Sequence, residues 1–187
     1  MVSWAYTFNS ESFDTIYFAF NYPFSYQESL DMCSHMEQQL KGHEKFYFAR
    51  ELLAHSVEMR RLELLTLTYN NEMLTEKEEI IPGLFPEHFN DQSERPHVFN
   101  KPTVFVTARI HPGETPSSHV LKGIIDFLLS ANEQAEILLR KFVFKFIPLL
   151  NPDGVYRGYY RLDTYSRNLN RYYLDPSPEE QPTVYAT

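Results

Sequence analysis

The 187 residues are 43% hydrophobic and 16% aromatic, enough to build one core of ordinary domain size and too apolar for global disorder. The net charge of −8 argues against nucleic acid as a partner. A single cysteine, Cys33, excludes an internal disulfide and suggests a reducing setting, and no apolar run approaches the ~20 residues of a membrane-spanning helix.

The opening MVSWAYTFNSESFD carries no secretory pattern, so a soluble cytoplasmic chain is expected. The charge is uneven. Residues 1–100 hold seven basic and sixteen acidic side chains, whereas residues 101–175 hold ten basic and seven acidic ones. An anion-binding cleft in the second half is one reading of that asymmetry, and chance clustering is the other.

In chain order, DTIYFAFNYPF has the aromatic content of a strand ended by Pro23. Ser25 and Glu28 in SYQE form a capping box, predicting a helix over 26–41 with Leu30, Met32, Cys33, Met36 and Leu40 on its apolar side and a stop near Gly42. FYFARELLAHS and RRLELLTLTY predict a hairpin turning at Val57-Glu58-Met59. Residues 70–101, rich in Glu, Pro, Asn and Asp, read as a long surface loop or insertion.

TVFVTAR is then a short buried strand, and PSSHVLKGIIDFLLS a helix with Thr115 as N-cap and Pro116 at its first position. NEQAEILLRKF is a second short helix, and FVFKFIPLL a buried strand closed by the turn signal NPDG. Strand, helix and strand in this order predict an α/β domain with a mixed, largely parallel sheet flanked by helices. HPGE and NPDG both follow strands, on the side of such sheets where ligands sit.

His111 and Glu114, three residues apart around Pro112-Gly113, can aim a nitrogen and a carboxylate oxygen at one point, a donor set that suits Zn²⁺. A plain surface turn, with Glu114 favoured by the following helix dipole, satisfies the same pattern. Arg157, Arg161, Arg167 and Arg171, interleaved with tyrosines and accompanied by Asn168 and Asn170, can form a pocket that grips carboxylates. The plain alternative is a solvated loop whose arginines pair with Asp153 and Asp163.

Taken together, HPGETPSS, FVFKFIPLLNPDGVYRGYYRLD and NLNRYYLDPSPEEQPTVYA resemble the M14 zinc carboxypeptidases, and within them the cytosolic branch that trims glutamate from tubulin and other proteins. YFAFNYPFSY and RRLELLTLT match that branch too, and the resemblance spans roughly residues 14–187. It implies a zinc-carboxypeptidase fold preceded by the end of a β-sandwich domain: 1–24 as the sandwich remnant, 25–187 as the first half of the catalytic domain. It implies His111 and Glu114 as zinc ligands, Arg161 as the residue that polarises the scissile carbonyl, and Asn170 and Arg171 as the grip on the substrate's terminal carboxylate. The implied partners are glutamylated protein tails, tubulin and microtubules, met by a monomer in the cytoplasm, extending to the nucleus or to microtubules.

Two departures qualify the resemblance. Tyr165-Ser166-Arg167 stands where relatives carry a glycine, so a different turn is expected there, with Arg167 as an extra cation. The third zinc-ligand histidine of the family lies well downstream of NLNR, but the histidines here are 35, 43, 55, 88, 97, 111 and 119. His119 is expected on the helix surface, away from the metal. The isolated chain is therefore expected to be inactive and to bind zinc weakly. A non-catalytic module that binds glutamate-rich tails through its arginines is the rival reading. Zinc amidoacylase chemistry on N-acyl amino acids is a third.

Overall fold

The computed structural model describes residues 3–8, 15–88 and 91–187. Ser25 starts the first helix as its capping box predicts. Its hydroxyl accepts from the Glu28 N–H at 3.1 Å, and the Glu28 carboxylate accepts from the Ser25 N–H at 2.6 Å. Helix α1, Tyr26–Leu40, buries Ser29, Cys33, Met36 and Leu40 and gives way to Gly42 at φ +69°. Leu30 and Met32 are only half-buried.

The hairpin also forms as predicted, with β1 (Phe46–His55) antiparallel to β2 (Arg61–Tyr69) and Met59 left-handed in the turn. The aromatic run before α1 does not form its predicted strand. Asp14 lies outside the described residues, and 15–24 is irregular, with Tyr17, Phe20 and Tyr22 exposed. Among the described residues no strand pairs with it, and a strand without partners is not stable in water.

Residues 70–101 are more than a loop. They contain β3 (Met73–Lys77) and β4 (His97–Phe99), paired as an antiparallel ribbon, and two short 3₁₀ turns. Leu84, Phe85 and Arg95 from this stretch are buried. Arg95 forms a salt bridge to Glu51 and lies 3.4 Å from Glu78, with its guanidinium 3.3 Å from the centre of the Phe85 ring. Polar composition hid this, because a cation becomes a core residue only when distant acids meet it.

Then come β5 (Thr103–Thr107), α2 (Pro116–Leu128), α3 (Glu133–Lys141), β6 (Val143–Ile147), α4 (Pro152–Arg157) and α5 (Pro182–Tyr185). The four-stranded sheet has the order β1-β2-β6-β5 and is mixed: β5 runs parallel to β6, and the other two pairs are antiparallel. Among the described residues β5 has β6 as its one strand neighbour, and it is half-exposed rather than buried as expected. On one face, Leu65 and Leu67 of β2 and Phe144 and Phe146 of β6 pack with α1, α2 and α3. On the other, Leu62 and Leu64 of β2 meet Leu84, Phe85 and Leu150. Alternate residues of β2 thus feed two cores, and each fully buried leucine contributes about 1.5–3 kcal/mol.

Thr115 occupies the N-cap position of α2 but has helical backbone angles, and its hydroxyl makes no capping bond; Pro116 takes the first position as predicted. NPDG is not a free turn. Asn151 caps α4 by accepting from the Gly154 N–H at 2.9 Å, and Gly158 ends that helix at φ +72°.

Candidate active site

The parallel ladder sets the site. Thr107 of β5 lies opposite Ile147 of β6, and hydrogen bonds continue past both strands. Ala108 N–H donates to Ile147 O at 3.0 Å, Leu150 N–H to Ala108 O at 2.8 Å and Asn151 N–H to Arg109 O at 3.2 Å. HPGE and NPDG therefore leave the sheet side by side, at the carboxyl ends of the strands.

Two glycines let these segments touch. A Cβ on Gly154 would fall 2.4 Å from Pro112 Cγ, and one on Gly113 would fall 2.6 Å from Tyr160 Cδ2 and 2.7 Å from its carbonyl oxygen. The Gly113 N–H donates to that carbonyl at 2.7 Å. Close approach, not backbone freedom, makes glycine necessary at both positions.

His111 is 6% exposed, and both its nitrogens are engaged. Nδ1 lies 3.0 Å from Glu114 Oε1, and Nε2 lies 3.0 Å from Asn168 Oδ1. The Asn170 N–H donates to the same Asn168 Oδ1 at 3.1 Å, which identifies that atom as the oxygen. Oδ1 can only accept, so Nε2 carries a proton, and Nδ1 faces the carboxylate oxygen, either as a donor in the imidazolium or as a lone pair in the neutral ring. Two lone pairs facing each other repel unless a proton or a cation lies between them.

Two donors bound at ~2.0–2.1 Å to a tetrahedral ion lie about 3.3 Å apart, so this pair has the spacing and chemistry of half a zinc site. Among the described residues, no group of three His, Cys, Asp or Glu side chains gathers to complete it.

Arg161 reaches the same point, with Nη1 3.7 Å from Glu114 Oε1 at the exposed rim. Asn170 and Arg171 lie on the 3₁₀ turn Leu169–Arg171, which buried Leu169 anchors and Asn168 caps. The Arg171 guanidinium donates only to Asn170 O, at 3.1 Å, and has no acid partner among the described residues.

The other two arginines are committed elsewhere: Arg157 to Glu58 at 2.9 Å and Arg167 to Glu180. The basic pocket read from the sequence thus reduces to Arg161 and Arg171, and Arg167 is not a free cation. The acids holding these arginines are Glu58, Glu180 and Glu114, not Asp153 and Asp163. Asp153 instead accepts from Ser56, Arg60 and the Glu58 N–H, fixing the β1–β2 turn against α4.

The turn before NLNR is built around Ser166. Ser166 adopts φ +59°, the conformation a glycine would take, and Asp163 Oδ1 supports the turn by accepting from the Tyr165 and Arg167 N–H groups. His119 is exposed, as expected of a helix-surface residue, and packs edge-on to Phe24, with ring centres 5.3 Å apart.

Sequence reasoning passed over Asn168 as the partner of His111, the two contact glycines, and Arg109. Arg109 is left-handed at φ +58°, a conformation that costs a side-chain-bearing residue about 1–2 kcal/mol. Burial pushes its guanidinium down to about 10, still far enough above neutrality for the charge to persist. A charged residue two positions before the HPGE motif was the available signal.

With this geometry in view, the zinc carboxypeptidase profile (Peptidase_M14) matches residues 32–175. Cytosolic carboxypeptidase-like protein 5 of Danio rerio is 43% identical over 182 residues, covering 91% of this chain and 20% of that protein. Cytosolic carboxypeptidase 6 of Mus musculus is 41% identical over 186 residues, covering 99% of this chain and 29% of that protein. The chain thus spans well under a third of either relative. Among solved structures, a putative carboxypeptidase A from Shewanella denitrificans OS-217 is similar with a TM-score of 0.64 at 27% identity, covering 88% of this chain and 35% of that one. A metallo-carboxypeptidase from Burkholderia cenocepacia gives 0.62 at 27% identity, covering 88% and 36%. The motif pair, the fold that joins it and these likenesses agree: the chain belongs to the M14 family of zinc carboxypeptidases.

Proposed function

We propose that the chain supplies one side of the active site of a cytoplasmic zinc carboxypeptidase that removes glutamate, at a branch point or a C-terminus, from glutamylated protein tails such as those of tubulin. In this reading, residues 25–187 are the first half of the catalytic domain and residues 1–24 the end of a preceding sandwich domain. The observation that carries it is His111 Nδ1 facing Glu114 Oε1 at 3.0 Å, with the ring held by Asn168.

Zinc, when bound, supplies an acidified water and polarises a carbonyl. His111 and Glu114 would hold it. Asn168 keeps the imidazole proton on Nε2 and so leaves Nδ1 free to bind metal. Arg161, at the rim beside Glu114, offers a guanidinium to the oxyanion that develops on the scissile carbonyl. Asn170 and Arg171 grip the free carboxylate by which an exopeptidase recognises a chain end, and Arg171 suits that task because no acid among the described residues occupies it.

Zinc titration of the chain by calorimetry tests the assignment. Binding weaker than micromolar, lost in His111→Ala and in Glu114→Ala, is expected from two donors. Sub-micromolar binding would show a third donor, and binding indifferent to His111 would remove the site. The isolated chain is also expected to release no glutamate from a glutamylated tubulin-tail peptide.

The rival reading, a non-catalytic module gripping acidic tails through four arginines, is disfavoured by the commitment of Arg157 and Arg167 to Glu58 and Glu180. Metal-independent binding of glutamylated peptide with steep salt dependence would restore it.

A further inference from the structure

Arg109 stands two residues before His111 and combines features that work against stability. Its backbone is left-handed at φ +58°, where a glycine would be unstrained. Its side chain is 4% exposed, yet it forms no ion pair among the described residues. A buried charge without an ion-pair partner is costly, so what it holds is informative.

Every acceptor is a neutral oxygen. Nη1 donates to Phe24 O and to Ser118 Oγ, both at 2.9 Å, and Nε and Nη2 converge on Pro112 O at 3.1 and 2.7 Å. The Pro112–Gly113 peptide is the middle of the three-residue span that joins His111 to Glu114. Its carbonyl is held by the Arg109 fork and its N–H by Tyr160 O at 2.7 Å, so both polar groups of one peptide are pinned from opposite sides. The main chain of Arg109 is fixed in turn, its N–H on Ser117 Oγ at 3.3 Å and its carbonyl accepting from Asn151 N–H at 3.2 Å. One residue thereby ties the bend to α2, to the start of α1 and to the NPDG segment.

We propose that Arg109 is a positioning residue of the metal-binding bend: its fork locks the Pro112–Gly113 peptide plane so that the His111 and Glu114 donors stay aimed at one point. This rests on the reading of His111 and Glu114 as metal ligands. The planar fork is what matters, not the charge, since a lysine ammonium has the charge but cannot bring two fixed N–H groups onto one carbonyl while also reaching Phe24 and Ser118.

The test uses the whole chain as wild type, Arg109→Gly, Arg109→Lys and, as control, His111→Ala. Zn²⁺ binding is followed on the histidine ring signals by NMR, and hydrogen exchange is measured at the Gly113 and Phe146 amides. In both Arg109 variants, His111-dependent zinc binding should weaken about tenfold or more, the size of effect seen when groups that orient metal ligands are removed. Gly113 exchange should accelerate about as much, while Phe146, in the sheet, keeps its protection. Wild-type zinc affinity with wild-type Gly113 protection overturns the proposal. Accelerated exchange at Phe146 as well overturns it in favour of a general stabilising role.

If the wild-type chain shows no His111-dependent zinc binding, the metal reading fails, and Gly113 exchange alone decides the clamp. Arg109→Lys, which keeps the stem and the charge, carries both measurements if Arg109→Gly does not fold.

Discussion

Arg95 and Arg109 are both buried arginines, yet the regions around them are built on different terms. Arg95 holds the 70–101 segment to the sheet with acids, Glu51 and Glu78, and with the Phe85 ring. Arg109 holds the HPGE bend with carbonyl and hydroxyl oxygens alone. The first region is a neutralised structural clamp. Among the described residues, the second has no ion pair to its arginine, with Glu28 as the nearby acid that favours its charge. The role of a buried arginine is read from its acceptors, since desolvation is offset by direct ion pairs in one case and mainly by hydrogen bonds to neutral oxygens in the other.

The largest expected effect comes from breaking the first clamp. Arg95→Met leaves the Glu51 carboxylate, 2% exposed, without its main partner and should cost about 3–5 kcal/mol in urea unfolding, most of it recovered in Arg95→Met/Glu51→Leu. Burial already pushes the Glu51 carboxyl upward from its ordinary value, with Arg95 as the leading opposing influence. A carboxyl raised in the folded state favours folding below its unfolded value and loses that contribution as pH rises through the folded value. The single variant should therefore be weakest near neutral pH and recover toward acid. A pH-independent loss, or a double variant as unstable as the single, would count against the clamp.

The second region is tested through its glycines. Gly154→Ala sets a methyl 2.4 Å from Pro112 Cγ and 2.8 Å from Asn151 Oδ1, so the two motifs must separate. A cost of about 1–3 kcal/mol is expected, with displaced His111 ring signals. Unchanged ring signals would show that the bend does not depend on NPDG for its place.

The smallest effect sharpens the contrast at its edge. Ser25 caps α1 next to Phe24, whose carbonyl accepts from Arg109. Ser25→Ala should cost about 1 kcal/mol in thermal or urea unfolding and leave Gly113 exchange unchanged. Faster Gly113 exchange in that variant would extend the clamp through Phe24 to the helix cap.

Elements whose cause is local were legible in advance. The capping box at Ser25–Glu28, the hairpin of Phe46–His55 with Arg61–Tyr69, and the two helices after HPGE each depend on neighbours within a few residues. Misreadings occurred where a distant partner decides. Among the described residues, the aromatic run of 15–24 has no strand beside it, TVFVT is half-exposed with one strand neighbour, and the acidic 70–101 stretch holds a buried arginine. At the site, the spacing of His111 and Glu114 proposed a common target. Arg157 and Arg167 looked equivalent to Arg161 and Arg171 until Glu58 and Glu180 took them.

The sequence by itself determined the family, the order of strands and helices in the second half, and the pair of donors on the bend. Motif spacing and residue chemistry act over short stretches of chain, and both survive into the fold. Tertiary structure alone decided which nitrogen of His111 is held by an amide oxygen and which faces Glu114, because Asn168 comes from 57 residues away. It alone decided which arginines stay unpaired and why two glycines and a strained arginine stand around the bend. Those are contacts between segments that only the packed sheet brings together.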